Sequence, residues 1–223
     1  MERVSFGSVT QCALALGVSP EQVWASVREI CCLTGSDGNP IERERWGLFS
    51  DYWVGPYERL LRDWTQVAWI PGGTAPVIGY LTGCPNSGPF ELARSSIFVP
   101  WLFSRILTGF YPFDRDVVRT LRRESRIERS PWETFSSSAR DLVSRSYPAH
   151  LHMNLRSEWR GRGIGEGLMH RFLVELRAQG TPGLYLLCGE GPLKFYFRQH
   201  FSVLEKVHFG PHLVPVFLLT RSV

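Results

Sequence analysis

No run of apolar residues approaches the ~20 needed to cross a bilayer as a helix, so the sequence argues against a membrane protein and no membrane partner is expected. The first residues carry Glu2 and Arg3 and then only a short apolar patch, residues 12–18, broken by Gly17. A secretory leader needs a longer apolar stretch behind a basic start. Cysteine is scarce. The five present, Cys12, Cys31, Cys32, Cys84 and Cys188, form no C-x-x-C pair and no His-spaced ligand set, so no metal is expected. An odd number of thiols without a framework fits a reducing compartment, and a soluble cytoplasmic protein is expected. Charge of one sign is also lacking: the net value is +4 with His neutral. That suits an anionic ligand but is too mild to indicate nucleic acid. There is no internal repeat and no low-complexity tract.

What remains is an ordinary globular composition, 43% apolar and 21% charged, over 223 residues. That length suits a single domain, residues 1–223, with a sizeable core. Eight Trp and fourteen Phe supply large rings for that core or for a ligand cleft.

Along the chain, Ser19-Pro20-Glu21-Gln22 reads as a helix start, with Ser19 as the cap, Pro20 at the first helical position and Gln22 closing a capping box. Val23, Trp24, Val27, Ile30 and Cys31 follow at helical spacing, and residues 34–40 stop the helix. A second helical region is expected over 51–64, interrupted at Gly55-Pro56. Residues 67–70, 71–74 and 77–82 read as strand, turn and strand of an antiparallel hairpin. Residues 86–146 give weaker signals. Within them, 114–129 reads as an Arg-rich helix with a solvated face (Arg115, Arg119, Arg122, Arg123, Arg126, Arg129), and Ser130-Pro131-Trp132-Glu133 as another helix start. From residue 147 the pattern sharpens. It gives a strand at 149–155, an amphipathic helix at 163–179 ended by Gly180, a strand at 184–188, a short helix at 193–199, and strands at 203–209 and 213–220. This order predicts an α/β fold with a mixed sheet and helices on both faces.

The run Arg160-Gly161-Arg162-Gly163-Ile164-Gly165 joins a predicted strand to a helix. A helix N-terminus offers unpaired N–H groups and a partial positive charge. Glycines let the backbone approach an anion without a Cβ in the way, so the run is a candidate diphosphate cradle. The dinucleotide fingerprint G-x-G-x-x-G fails, because its third position falls on Glu166 or Leu168. The Gly-Lys-Ser/Thr ending of a P-loop is absent. The pattern present is R-x-x-G-x-G, from Arg160, Gly163 and Gly165.

That pattern resembles the acetyl-CoA motif of the GCN5-related N-acetyltransferase (GNAT) family. Residues 30–38 (ICCLTGSDG), 54–57 (VGPY), 79–83 (GYLTG) and 147–152 (YPAHLH) are similar, in the same order, to the acetyltransferase-like C-terminal domain of O-GlcNAcase and its stand-alone bacterial relatives. The resemblance implies a GNAT fold: a mixed, mostly antiparallel sheet that splays open between the fourth and fifth strands, here 149–155 and 184–188, where the pantetheine arm enters. It implies acetyl-CoA as cosubstrate, bound by Leu155, Arg160, Gly161, Arg162, Gly163, Ile164, Gly165, Phe195 and Tyr196. Three departures stand out. The family's Asn before the Phe-Tyr helix is Gly189 here, its Gly-Phe after that helix is His200-Phe201, and Asn154 stands where close relatives often carry Asp.

Acetyl transfer to an amine requires the amine to lose a proton, the thioester carbonyl to be polarised and the leaving thiolate to be protonated. Leu155 is placed to polarise the carbonyl through its backbone N–H. Tyr196 matches the family's Tyr near the sulfur, as general acid or as a core aromatic beside Phe195 and Phe197. His150, His152 and Asn154 alternate along a strand and so share a face. His152 is the best candidate base, with a hydrogen-bonded structural histidine as the alternative, and Glu158 reads as a helix-entry carboxylate. The functional expectation is an N-acetyltransferase acting by direct transfer on an amine of a small molecule or peptide, as a monomer or homodimer. The competing reading is a catalytically weak or inactive acetyl-CoA-binding module with a sensor or docking role. Nothing resembles the sugar-cleaving domain of O-GlcNAcase.

Overall fold

A computed structural model of the chain describes residues 3–72, 76–125, 130–210 and 212–223. It begins with β1 (Ser5–Ser8), α1 (Val9–Leu16), α2 (Pro20–Leu33), α3 (Trp46–Trp53) and α4 (Gly55–Leu60), followed by the hairpin strands β2 (Gln66–Trp69) and β3 (Val77–Cys84). A helical stretch comes next: α5 (Ser87–Ala93), α6 (Val99–Leu107), α7 (Arg115–Glu124), α8 (Pro131–Thr134) and α9 (Ser137–Ser146). The C-terminal part is β4 (Ala149–Leu155), α10 (Ile164–Ala178), β5 (Gly183–Cys188), α11 (Leu193–Arg198), β6 (Ser202–Phe209) and β7 (Val214–Ser222). The seven strands form one sheet in the order β1-β2-β3-β4-β5-β7-β6. β4 runs parallel to β5, and the β1–β2, β2–β3, β5–β7 and β6–β7 pairs are antiparallel.

The chain packs as two compact units, Met1–Cys84 with His152–Glu175, and Pro85–Leu151 with Leu176–Val223. In the first, α2 starts on the capping box read from sequence. Ser19 Oγ accepts from the Gln22 N–H, and Gln22 Oε1 accepts from the Ser19 N–H at 2.9 Å. Such a cap contributes about 1 kcal/mol. The apolar stripe of α2, Val23, Trp24, Val27, Ile30 and Cys31, is buried with Val67, Trp69, Val77 and Tyr80 of the hairpin. Arg28, on the same helix, pairs with Asp51 and Glu58 and so ties α2 to α3 and α4.

The second unit is built on β5, β7 and β6. The β4–β5 register is Ala149↔Leu184 and His150↔Tyr185, at the first residues of β4. Phe135, Ala139 and Val143 of the α8–α9 segment are buried with Leu218 of β7. Gly183 permits a close approach, since a Cβ there would lie 2.7 Å from the Ser146 carbonyl oxygen. A π-helical turn, Arg94–Phe98, joins α5 to α6, and Arg94 pairs with Glu124 of α7 at 2.7 Å.

Several sequence expectations are refined. Residues 12–16 of the apolar patch lie in α1, which starts at Val9 on its own capping box from Ser8 and Gln11 and ends at the left-handed Gly17. The second helical region begins at Trp46 rather than 51, and its break falls at Val54, between α3 and α4. β1 has no counterpart in the sequence pattern. The Arg-rich helix spans Arg115–Glu124. Arg126 and Arg129, like Gly73 and Thr74 of the hairpin turn, lie outside the described residues.

Candidate functional site

β4 ends at Leu155, whose side chain lies over Gly79 of β3, where a Cβ would collide with it. The next residue, Arg156, fixes the exit of the strand. Its N–H donates to Ile78 O and its Nε to Val77 O, each at 3.0 Å, and its Nη2 to Glu29 Oε2 at 2.7 Å. A 3-10 turn, Ser157–Trp159, leads into the glycine loop. Gly161 (φ +73°) and Gly163 (φ +77°) both occupy the left-handed region, where an L side chain costs about 1–2 kcal/mol. A Cβ on either would meet no atom within 4 Å, and Gly161, Arg162 and Gly163 are all exposed. The loop is therefore shaped by its backbone and open outside it. α10 begins here, with the Gly167 N–H donating to Gly163 O at 3.1 Å. The first-turn N–H groups of this helix have no carbonyl behind them in the helix and carry its positive end.

The two arginines of the motif are placed differently. Arg160 donates from Nη2 to the carbonyl of Gly38 at 2.9 Å, while the Arg162 guanidinium lies 4.7 Å over the Trp159 ring. Ile164 and Gly165 are buried at the start of α10. Gly167, beyond the motif, is a packing glycine, since a Cβ on it would reach 2.6 Å from the Phe6 ring of β1.

The three alternating residues of β4 divide between two environments. The His150 Nδ1 lies 2.7 Å from Ser87 Oγ, with Phe90 and Tyr185 edge-on to the ring. His152 and Asn154 are brought together instead. The Asn154 amide nitrogen is 3.0 Å from His152 Nε2 and 2.9 Å from the Tyr80 hydroxyl. The Trp53 ring stacks on His152 at 5.9 Å and 19°. Burial pushes the His152 imidazole down to about 4, so it is neutral at pH 7.

On α11, in the second unit, Tyr196 is buried edge-to-face against Phe195 (5.2 Å) and Phe201 (5.4 Å). Burial, with a smaller contribution from Cys188, raises its phenol well above the usual range. His200 holds the turn that follows at φ +60°, so the glycine conformation persists without the glycine. Gly189 is exposed, with no atom within 4 Å of a Cβ placed on it.

Sequence reasoning missed Trp53, Tyr80 and Gly38 as neighbours of these residues. Tyr80 and Gly38 are legible only as members of the blocks 79–83 and 30–38. No spacing rule links Trp53 to His152. Among the described residues no group of three His, Cys, Asp or Glu side chains could hold a metal ion, and no helix is long and apolar enough to cross a membrane.

No family profile matches the sequence. Solved structures do match over nearly the whole chain. SsHAT superposes with a TM-score of 0.69 at 24% identity, covering 98% of each chain. A GCN5-related N-acetyltransferase from Kribbella flavida gives 0.53 at 12% identity, over 99% of this chain and 98% of that one. The NatC complex, solved with Gag peptide and CoA, gives 0.51 at 10% identity, over 100% and 99%. With its mixed seven-stranded sheet, parallel at β4–β5, and a glycine loop opening the helix after β4, the chain has the fold of the GCN5-related N-acetyltransferases.

Proposed function

We propose that this chain is an acetyl-CoA-dependent N-acetyltransferase that transfers the acetyl group directly to an amine of a small molecule or peptide. The observation that carries the reading is the open turn at Gly161 and Gly163, two left-handed glycines with empty space beside them at the start of α10. Main-chain N–H groups at such a helix start suit a diphosphate. Arg160, Gly161, Arg162, Gly163, Ile164 and Gly165 form this cradle in the proposal, with Arg160 bracing it on Gly38. When bound, acetyl-CoA supplies the activated acetyl group. The NatC structure, solved with CoA, supports the assignment by its fold.

The roles of the chain's own residues follow from their chemistry. The Leu155 N–H is assigned to the thioester carbonyl, where a fixed donor stabilises developing negative charge. Phe195 and Tyr196 are assigned to the thiol end. The raised phenol of Tyr196 stays protonated, which fits a hydrogen-bond donor to the leaving sulfur better than complete proton transfer, because a thiolate is the weaker base. All five cysteines are thiols rather than disulfides and four are buried, which suits the cytoplasm. We take the protein to act as a soluble monomer or homodimer.

The test is thiol release from acetyl-CoA with a panel of amines. Turnover with at least one acceptor is expected. The second reading, a CoA-binding module without turnover, is favoured by one feature: His152 is neutral and already hydrogen-bonded by Asn154. CoA binding with no acceptor turned over would select that reading.

A further inference from the structure

Three residues from three elements hold the imidazole of His152. Trp53 of α3 stacks on one face, and Tyr80 of β3 lies tilted at 6.1 Å. Asn154 contacts the ring edge at Nε2. A primary amide nitrogen only donates. Nε2 therefore accepts, and the ring proton sits on Nδ1. Among the described residues, Nδ1–H meets no acceptor.

Among the described residues, the groups packed on this ring are uncharged. The Tyr80 phenol is raised by burial, and the Cys31 thiol bonded to it is pushed up to about 11. Arg28, the cation felt at Cys31, is paired with Asp51 and Glu58. A residue that takes a proton from an ammonium group needs an available lone pair. On His152 one nitrogen is engaged and the other is already protonated. Beside it, Trp53 is 41% exposed and packs against Tyr52 (5.4 Å, 83°) and Phe49 (6.2 Å, 48°).

Resting on the N-acetyltransferase reading, we propose that this site takes amines that are already uncharged near neutral pH and carried on a flat aromatic ring, the arylamine and arylhydrazine class. Trp53 is the platform for that ring. His152, with Nε2 engaged and Nδ1 protonated, takes no proton from the amine, and Asn154 is the positioning residue that fixes its tautomer. In the transfer, the neutral amine nitrogen uses its lone pair to form the new C–N bond. The C–S bond breaks with its electrons on sulfur, and the proton released by nitrogen ends on that sulfur. No side chain changes its charge. An alkylamine, like a lysine side chain with a pKa of about 10.4, is neutral in only about one molecule in 2,500 at pH 7, so it is excluded there.

The experiment has a spectroscopic arm and a kinetic arm, run after CoA binding is measured by calorimetry. Nitrogen-15 NMR of the histidine rings is recorded on the wild type and on Asn154→Asp. The wild type is expected to show an Nδ1–H ring for His152 that stays neutral at pH 5. In Asn154→Asp the new carboxylate accepts from Nε2–H, frees Nδ1 and raises the titration midpoint by more than a unit. In the kinetic arm, thiol release with aniline is expected to exceed that with butylamine by at least about 100-fold at pH 7. The gap should close to below about tenfold at pH 10 and narrow in Asn154→Asp at pH 7. Trp53→Ala should raise KM for aniline about tenfold more than it raises KM for butylamine. An Nε2–H ring in the wild type, or equal rates for the two amines at pH 7, overturns this inference while leaving the acetyltransferase reading intact. No CoA binding, or binding with no turnover of any amine, overturns both.

Discussion

The guanidinium of Arg160 donates to the main-chain carbonyl of Gly38 at 2.9 Å, joining the glycine loop before α10 to the loop after α2 across 122 residues of sequence. Gly38 is itself left-handed, at φ +84°, and a Cβ on it would press to 3.1 Å from Arg160 Nη1. The contact holds the loop in the shape assigned to the diphosphate. Arg160→Ala and Gly38→Ala are each expected to weaken CoA binding by about 5–10-fold, close to 1 kcal/mol, as read by calorimetry. Arg160→Lys should not rescue the loss, because an ammonium lacks the planar fork of a guanidinium. Unchanged affinity in both alanine variants would show that the loop keeps its shape without this bond.

Gly189 offers a gain of function. It stands where the resembling family carries Asn against pantetheine, it is exposed, and a Cβ added there would meet nothing within 4 Å. Its backbone is outside the left-handed region, so a side chain fits without strain. Gly189→Asn is expected to tighten CoA binding about 3–10-fold, roughly the net contribution of one hydrogen bond. The comparison is made by calorimetry against Gly189→Ala, which should change little.

His200 holds a left-handed turn at φ +60°, donating its N–H to Phe197 O at 3.0 Å. Phe201, next in the chain, is buried against Tyr196. Glycine relieves the cost of an L residue there, about 1–2 kcal/mol, and gives back part of it through a looser unfolded chain. His200→Gly should stabilise the protein by about 0.5–1 kcal/mol, a rise of about 2–3 °C in Tm. A lower Tm in a melting scan would mean the imidazole makes a stronger contribution than the turn.

His152 couples stability to pH. Its folded pKa is about 4 and that of an unfolded histidine about 6.5, so the unfolded chain binds the proton first. Stability is then full above pH 6.5, falls as pH drops through the interval to 4, and levels off below it. For a ring that keeps some solvent access, the loss is about 2 kcal/mol. Urea unfolding between pH 4 and 7 should show this slope, and His152→Gln should flatten it. The same slope in the variant would assign it to other groups.

What sequence made legible was local chemistry. The Ser19–Gln22 and Ser130–Glu133 capping boxes, the strand at 149–155 and the left-handed stop at Gly180 all form where the residues place them. The glycine loop is readable too, because two glycines at fixed spacing before an amphipathic helix constrain the backbone directly. What stayed hidden depends on distant partners. β1 has four residues and exists because Ser5–Ser8 pairs with β2, with Phe6 filling the space that Gly167 leaves. The stretch from α5 to α6 contains Pro89 and Pro100, which hide helical periodicity even though each sits near a helix start, where proline is tolerated. Trp53 over His152 unites residues in different elements, so strand alternation can place His152 on a face but not say what covers it. That is why sequence offers His152 as a base, while the Asn154 contact at Nε2 and the stacked Trp53 show only in the fold.

In the proposed reading the backbone turn at Gly161 and Gly163 grips the diphosphate of coenzyme A. The most direct measurement is calorimetric titration of CoA into the wild type and into Gly163→Val, with dephospho-CoA and pantetheine as controls. Saturable one-site binding to the wild type is expected, with a loss of at least about 100-fold in Gly163→Val and pantetheine weak in both. Equal CoA affinity in the two proteins, or no binding to the wild type, would contradict it.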